Sequence, residues 1–401
     1  MRILVRNAHL VTPPCGGPLR GEDLRDVRSS KTSILCVDGR VEAFGREAEY
    51  LADGAEVVDV GGRLVTPALV DPHTHLAFAG ERDAELRMKL QGLSYLEILN
   101  RGYGIYRTVE HTRSCSVGDL AAIVHERLNT MRSHGTFLVE AKSGYGLDME
   151  NEVKILRSYE GLSGVIPTLL AHVVPKGWEE GEYVEYFKRI IDRVRDLGLA
   201  RFFDVFCDKG AFSVDAAREL LLHARNRGFG LKVHAEELER TGATEMAVSL
   251  GATSVDHLEV ADEEAIDALA SSRTIAVLLP TTPLVMLGGP RPRARRMVDE
   301  GVAIAIGTDF NPNNWIESLQ FVLQYSVYTL RLLPEEALSA CTRNAALAVE
   351  ARDYGCVAEG KACALAVWDV GSLDSLAARI GVNRLYRLIS PIEASTSRPK
   401  T

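Results

Sequence analysis

Five of the chain's ten histidines and one aspartate sit in polar stretches that interrupt apolar runs. They are Asp71-Pro-His73-Thr-His75, His172 in Leu170-Ala-His-Val-Val-Pro175, His234 in Lys232-Val-His-Ala-Glu-Glu237, His257 in Val255-Asp-His-Leu258, and Asp309 in Ile306-Gly-Thr-Asp-Phe-Asn311. On an extended segment, His-x-His turns both imidazoles to one side because side chains alternate. Two nitrogens from His73 and His75, a third from His234 and a carboxylate oxygen from Asp309 would leave an open position on a divalent ion. Such an ion lowers the pKa of bound water from ~15.7 to about 7 and polarises a carbonyl. That is hydrolytic chemistry. Taken singly, a histidine at a strand end is more often a hydrogen-bonded core residue, and an aspartate there often caps the next helix. Recurrence at the ends of several separate strands makes metal binding the reading. His9, His111, His125, His134 and His223 fall in the N-terminal unit, on helices or in connections, and read as structural.

The elements that must gather these groups form a repeating pattern. Apolar strand candidates occur at 64–70, 136–141, 165–171, 201–206, 231–233, 254–256, 274–279 and 302–306, with helix-periodic stretches such as 183–197, 215–227, 243–250 and 317–330 between them. Near-continuously apolar strands are buried on both faces, and eight of them alternating with helices predict a (β/α)8 barrel. An open doubly wound sheet fits the alternation less well, since no GxGxxG follows the first strand. In a barrel the C-terminal strand ends converge on one face, which places the candidate ligands together. The two ends of the chain have a different texture of short alternating segments. One pair, Ser33-Ile-Leu-Cys-Val37 and Arg40-Val-Glu-Ala-Phe44, flanks a hairpin signal, Asp38-Gly39. Near the other end stand Ala364-Leu-Ala-Val-Trp-Asp369 and Val382-Asn-Arg-Leu-Tyr-Arg-Leu-Ile389. The expected organisation is a composite β-sandwich from 1–63 and 351–401 around a barrel at 64–350.

At 401 residues the chain is long enough for one large domain and a smaller one. Lysine and arginine number 46 against 55 acidic residues, a formal charge of −9, which argues against a nucleic-acid partner. No apolar run approaches the roughly 20 residues of a membrane helix, and the first residues lack a signal peptide's apolar segment. Seven cysteines without a CxxC pair read as reduced thiols in a cytoplasmic protein, and zinc held by thiolates is not expected.

These motifs resemble the amidohydrolase superfamily, metal-dependent hydrolases on a (β/α)8 barrel with a β-sandwich built from both termini. Within it the chain is similar to the imidazolonepropionase family. The matching stretches run from the His-x-His segment with Gly80-Glu-Arg82, through Lys142-Ser-Gly-Tyr-Gly-Leu147 and Asp204-Val-Phe-Cys207, to Thr308-Asp-Phe-Asn-Pro312. The resemblance implies opening of the cyclic amide of 4-imidazolone-5-propanoate to N-formimidoyl-L-glutamate. It implies one divalent or trivalent ion, zinc or iron, on His73, His75, His234 and Asp309. It also implies catalytic work for His257, Asp309 and Glu237, and substrate contacts from Arg82, Tyr145, His172, Glu237, Asn311, Asn313 and Asn314. Lys142 invites comparison with amidohydrolases that bridge two metals through a carboxylated lysine, but its motif matches the one-metal family. The nearest alternative is another amidohydrolase, a deaminase or lactam hydrolase of a small carboxylate-bearing heterocycle. The implied assembly is a homodimer acting on a small anionic molecule. Departures from the family pattern include Asn313-Asn314 where Gly and Ser or Thr are usual. Asn tolerates the left-handed backbone that Gly favours, so the turn is expected to survive with a bulkier side chain.

Overall fold

The computed structural model describes residues 2–93, 97–98 and 101–390. Five strands come first: β1 (Arg2–Thr12), β2 (Arg28–Val37), β3 (Arg40–Phe44), β4 (Glu56–Asp59) and β5 (Leu64–Pro67). Eight follow: β6 (Leu69–Thr74), β7 (Thr136–Lys142), β8 (Val165–Ala171), β9 (Phe202–Cys207), β10 (Gly230–Ala235), β11 (Ser254–His257), β12 (Ile275–Leu278) and β13 (Ile304–Ile306). Two more, β14 (Leu365–Trp368) and β15 (Leu385–Ile389), complete the set.

β6 to β13 pair in sequence order, every pair parallel. Their residues are almost all buried, as parallel strands covered on both faces require. The ring closes through a parallel bridge between Thr74 and Phe310. There His75 N–H donates to the Phe310 carbonyl at 2.8 Å, and Asp309 N–H donates to the His73 carbonyl at 3.1 Å. The seam that turns the sheet into a barrel therefore also joins two of the site segments. Outside the strands, Glu180–Leu197 shows how the helices attach. Its inward stripe of Tyr183, Val184, Phe187, Ile190, Ile191 and Val194 is buried, and Gly198 ends it at φ 66°. Ser116, Asp148, Ser213 and Asp262 cap other helices through their side chains.

The remaining strands form one seven-stranded mixed sheet in the order β15-β14-β5-β1-β2-β3, with β4 also on β1. Its core joins Ile3, Val5 and Leu10 from the first strand to Cys363, Leu365 and Val367 near the other end, the terminal β-sandwich. The apolar run at 64–70 is divided, contrary to its reading as one barrel strand. Leu64–Pro67 pairs with β1 and β14, and only from Leu69 does the chain enter the barrel. A run without polar alternation carries no mark of where it changes neighbours. Residues 391–401, placed by sequence in the sandwich, lie outside the described residues.

The cysteines require a correction. Cys15 bonds Cys356 and Cys36 bonds Cys363, while Cys115, Cys207 and Cys341 are free. The partners are 341 and 327 residues apart, so local spacing shows nothing; the meeting of the two termini creates the pairs. The bridges also remove the ground for inferring a reducing compartment. Replacing Cys36 and Cys363 together by Ala is expected to cost about 2–5 kcal/mol, read as a lower urea midpoint. A midpoint equal to that of the parent protein would mean the bridge contributes nothing in solution.

Candidate metal centre and substrate pocket

The groups gathered at the closing seam form one cluster. The His73 and His234 rings lie 4.5 Å apart between centroids, His73 and His75 5.5 Å, and His75 and His234 5.7 Å. Asp309 Oδ1 is 3.6 Å from His73 Nε2 and 3.8 Å from His75 Nε2. Two overlapping sets that share His73 have ligand atoms close enough for one ion: His73, His75 and Asp309, and His73, His234 and His257. His73 Nδ1–H donates to Asp256 Oδ2 at 2.6 Å and His234 Nδ1–H to Asp204 Oδ1 at 3.1 Å. These bonds leave the Nε2 lone pairs facing the cluster. Both Nε2 atoms are buried without a hydrogen-bond partner, an arrangement that suits a cation. Burial and the neighbouring positive groups hold His73 and His75 well below the ordinary imidazole range, so both are neutral donors. The residues present fit a metal ion.

Asp309 adopts φ 53°, and Thr282 Oγ1 donates to its Oδ2 at 3.1 Å. His257 stands beside it at φ 84°, between two carboxylates. Glu237 Oε2 is 3.7 Å from its Nε2 and Glu259 Oε2 is 3.4 Å from its Nδ1. Burial opposes charge on His257, but Glu237 and Glu259 outweigh it and raise the imidazole well above its usual range. Burial also pushes the Glu237 carboxyl up to about 7, although His257 pulls the other way. Asp208 positions the Glu237 loop by accepting from the N–H groups of Glu237 at 2.8 Å, Leu238 at 2.9 Å and Glu239 at 3.1 Å.

Tyr145 and His172 border this cluster. Tyr145 is buried, its ring 5.9 Å from His75 and 5.2 Å from His172. His172 stacks on His75 at 5.8 Å, and its Nδ1–H donates to the Gly144 carbonyl at 3.1 Å. The turn that presents Tyr145 explains its glycines. Gly144 has φ 101°, and a Cβ there would stand 2.8 Å from Leu170 Cδ2. Buried Glu152 gathers the N–H groups of Gly144, Gly146 and Leu147 at 2.7–2.8 Å.

Arg82 is engaged by the first turn of the helix that follows it, Asp83–Leu90, its Nε and Nη2 donating to Glu85 at 2.8 and 2.7 Å. It is close enough to His172 to help hold that imidazole down, at about 3, behind the larger effects of burial and His234. Asn311 Nδ2 donates to the Asp309 carbonyl at 2.8 Å. Neither Asn313 nor Asn314 has positive φ, contrary to the left-handed turn expected there. The turn is closed by a reciprocal backbone pair, Asn311 N–H to the Asn314 carbonyl at 3.0 Å and Asn314 N–H to the Asn311 carbonyl at 2.9 Å. Side chains add to it: Asn311 Oδ1 accepts from Asn313 N–H at 2.8 Å, and Asn314 Nδ2 donates to the Thr308 carbonyl at 3.0 Å. Lys89 Nζ then donates to Asn313 Oδ1 at 2.5 Å, tying the helix after Arg82 to this turn.

Sequence reasoning missed Glu85, Lys89, Asp208 and Glu259, and it quoted Asp204 and Asp256 without giving them work. The available signal for the last two was a charged residue inside an apolar parallel strand, which must find a partner when buried.

The amidohydrolase family model matches residues 64–394. The chain is 38% identical over 408 aligned positions to an imidazolonepropionase of Bacillus velezensis, covering 99% of this chain and 97% of that one. It is 36% identical to one from Caldanaerobacter subterraneus subsp. tengcongensis, covering 96% of each. Among solved structures, a triazine hydrolase variant superimposes with a TM-score of 0.74 at 17% identity, covering 97% of this chain and 93% of that one, which bears on the fold alone. With a family match across the barrel and relatives alike from end to end, the chain belongs to the amidohydrolases, within the imidazolonepropionase family.

Proposed function

We propose that the barrel hydrolyses the ring amide of 4-imidazolone-5-propanoate to N-formimidoyl-L-glutamate, a step of histidine degradation. One observation supports the reading: His73, His75 and Asp309 lie within reach of one ion, His73 is shared with a second such set of His234 and His257, and Tyr145 and His172 stand beside His75, in a chain similar throughout to imidazolonepropionases. A zinc or iron ion on those four residues would supply Lewis acidity and a water of lowered pKa. The water oxygen bonds to the ring carbonyl carbon, the C–N bond breaks, and a proton goes to the departing nitrogen. Asp309 takes a proton from the attacking water, and His257 donates toward the carbonyl oxygen as charge develops there. Glu237 holds the ring nitrogens and gives the proton to the leaving one. Tyr145, His172, Asn311, Asn313 and Asn314 complete the pocket. The family resemblance extends the reading to a homodimer, which light scattering tests.

Arg82 receives the propionate carboxylate on a guanidinium already aimed by Glu85. Arg82→Lys keeps the charge and loses the planar fork, so KM is expected to rise about 10- to 100-fold with a smaller change in kcat. A KM within twofold of the parent value would remove Arg82 from substrate binding.

The deciding experiment is a steady-state assay with 4-imidazolone-5-propanoate, with metal analysis of the same sample. The expected result is N-formimidoyl-L-glutamate formed by protein holding one zinc or iron per chain. No turnover by metal-loaded protein would overturn the substrate assignment. Ammonia released in step with substrate loss would point to the deaminase alternative.

A further inference from the structure

Beneath the cluster lies a layer of charged groups that the proposed reaction does not touch. Glu140 and Lys142 on β7, Asp204 on β9, Lys232 on β10 and Asp256 on β11 are all completely buried. Spacings of two residues along β7 and β10 turn Glu140 with Lys142, and Lys232 with His234, to the barrel interior. Lys142 is the hub. Its Nζ donates to Asp204 Oδ2 at 2.6 Å and Glu140 Oε1 at 2.9 Å, and lies 3.5 Å from Asp256 Oδ2. The opposite oxygen of Asp204 receives His234 Nδ1–H, and Asp256 Oδ2 receives His73 Nδ1–H. Asp256 is further held by Ser254 Oγ, which donates to its Oδ1 at 2.5 Å and itself accepts from Lys232 Nζ at 2.7 Å.

We propose that Lys142 is a positioning residue for the metal centre: one buried ammonium bridges the two carboxylates that set the tautomer and direction of His234 and His73, with Lys232 Nζ sharing Asp256 Oδ2 at 3.7 Å. The inference rests on the metal-centre reading above and deepens it. An ammonium confined among three carboxylates cannot swing away, so the two acids it grips stay in the geometry their imidazoles require. The geometry has an electrostatic counterpart. Burial alone would depress the Lys142 ammonium, but Asp204, Glu140 and Asp256 reverse this and raise it above the ordinary lysine value. Lys142 thereby acts on the metal through two different ligands at once. It does so from beneath the site, where a carboxylated lysine bridging two metals would have to reach into it.

The test compares the full-length parent protein with Lys142→Met and with the double variant Lys142→Met/Glu140→Gln, which removes one charge of each sign and leaves the net charge of the layer unchanged. Zinc affinity is measured by chelator competition, cobalt(II) absorption reports ligand geometry, and the unfolding midpoint of the metal-free protein reports the fold. The expected result is zinc affinity weaker by about 10- to 100-fold with altered cobalt bands, in a double variant whose metal-free midpoint stays close to the parent's. Parent-like affinity and spectrum in either folded variant would overturn the proposal alone. Failure of both variants to give a folded metal-free protein would also overturn it, assigning Lys142 to the fold. A parent protein that takes up no metal would sink the metal-centre reading, and this inference with it.

Discussion

Asp309→Asn is expected to lower kcat by about 10²- to 10⁴-fold, the range for removing a positioned proton acceptor. The substitution is nearly isosteric, and its backbone cost is small. Asp309 sits at φ 53°, where Asn is among the few side-chain-bearing residues that settle readily. Its N–H bond to the His73 carbonyl, which helps close the barrel, does not involve the side chain and is retained. What changes is the charge. Burial raises the Asp309 carboxyl above its usual range, which strengthens it as a base, and the amide has no comparable basicity. Metal content measured on the same sample separates two ways of failing. Loss of metal would make Asp309 chiefly a ligand; retained metal with lost turnover would isolate the proton transfer. Turnover within about threefold of the parent, with metal retained, would remove Asp309 from the chemistry.

The barrel was legible because its cause is local and repeated. A strand buried on both faces has to be apolar along its length, and β8, β9 and β12 stand within one or two residues of the runs seen in sequence. The site was legible for a related reason. Imidazoles and a carboxylate at the ends of such strands break the apolar pattern, and closure of the ring brings His73, His75 and Asp309 to one seam.

What stayed hidden depends on contacts between distant segments. Nothing near Cys15 points to Cys356; only the return of the C-terminal strand β14 to β5 makes the pairing possible. The change of sheet at Ala68 is invisible because both sheets accept the same residues. Arg82 enters the sequence reading only as a substrate contact, yet Glu85 shares it, and that pairing is set by where the following helix begins. Glu259 is the plainest omission. It lies two residues after His257 and is buried against it, but an extended reading would have turned the two side chains to one side without showing that φ 84° and 69° at His257 and Leu258 curl the chain between them.

Those paired carboxylates lead to the second large effect. Glu237→Gln is expected to reduce kcat by about 10²- to 10³-fold, with a smaller change in KM, since an amide keeps the hydrogen-bonding shape and loses the transferable proton. The loop should not move, because Asp208 holds it through backbone N–H groups. The pH profile makes the assignment specific. Burial places the Glu237 carboxyl at about 7, so the acid form is well populated at neutral pH and is lost as pH rises further. If this acid protonates the leaving nitrogen, parent kcat falls about tenfold per pH unit above that value, and the fall disappears in Glu237→Gln. A variant that keeps the alkaline fall would assign it to another group, and one with parent-like kcat would leave protonation of the leaving nitrogen to solvent or to His257, whose imidazole stands 3.7 Å from Glu237.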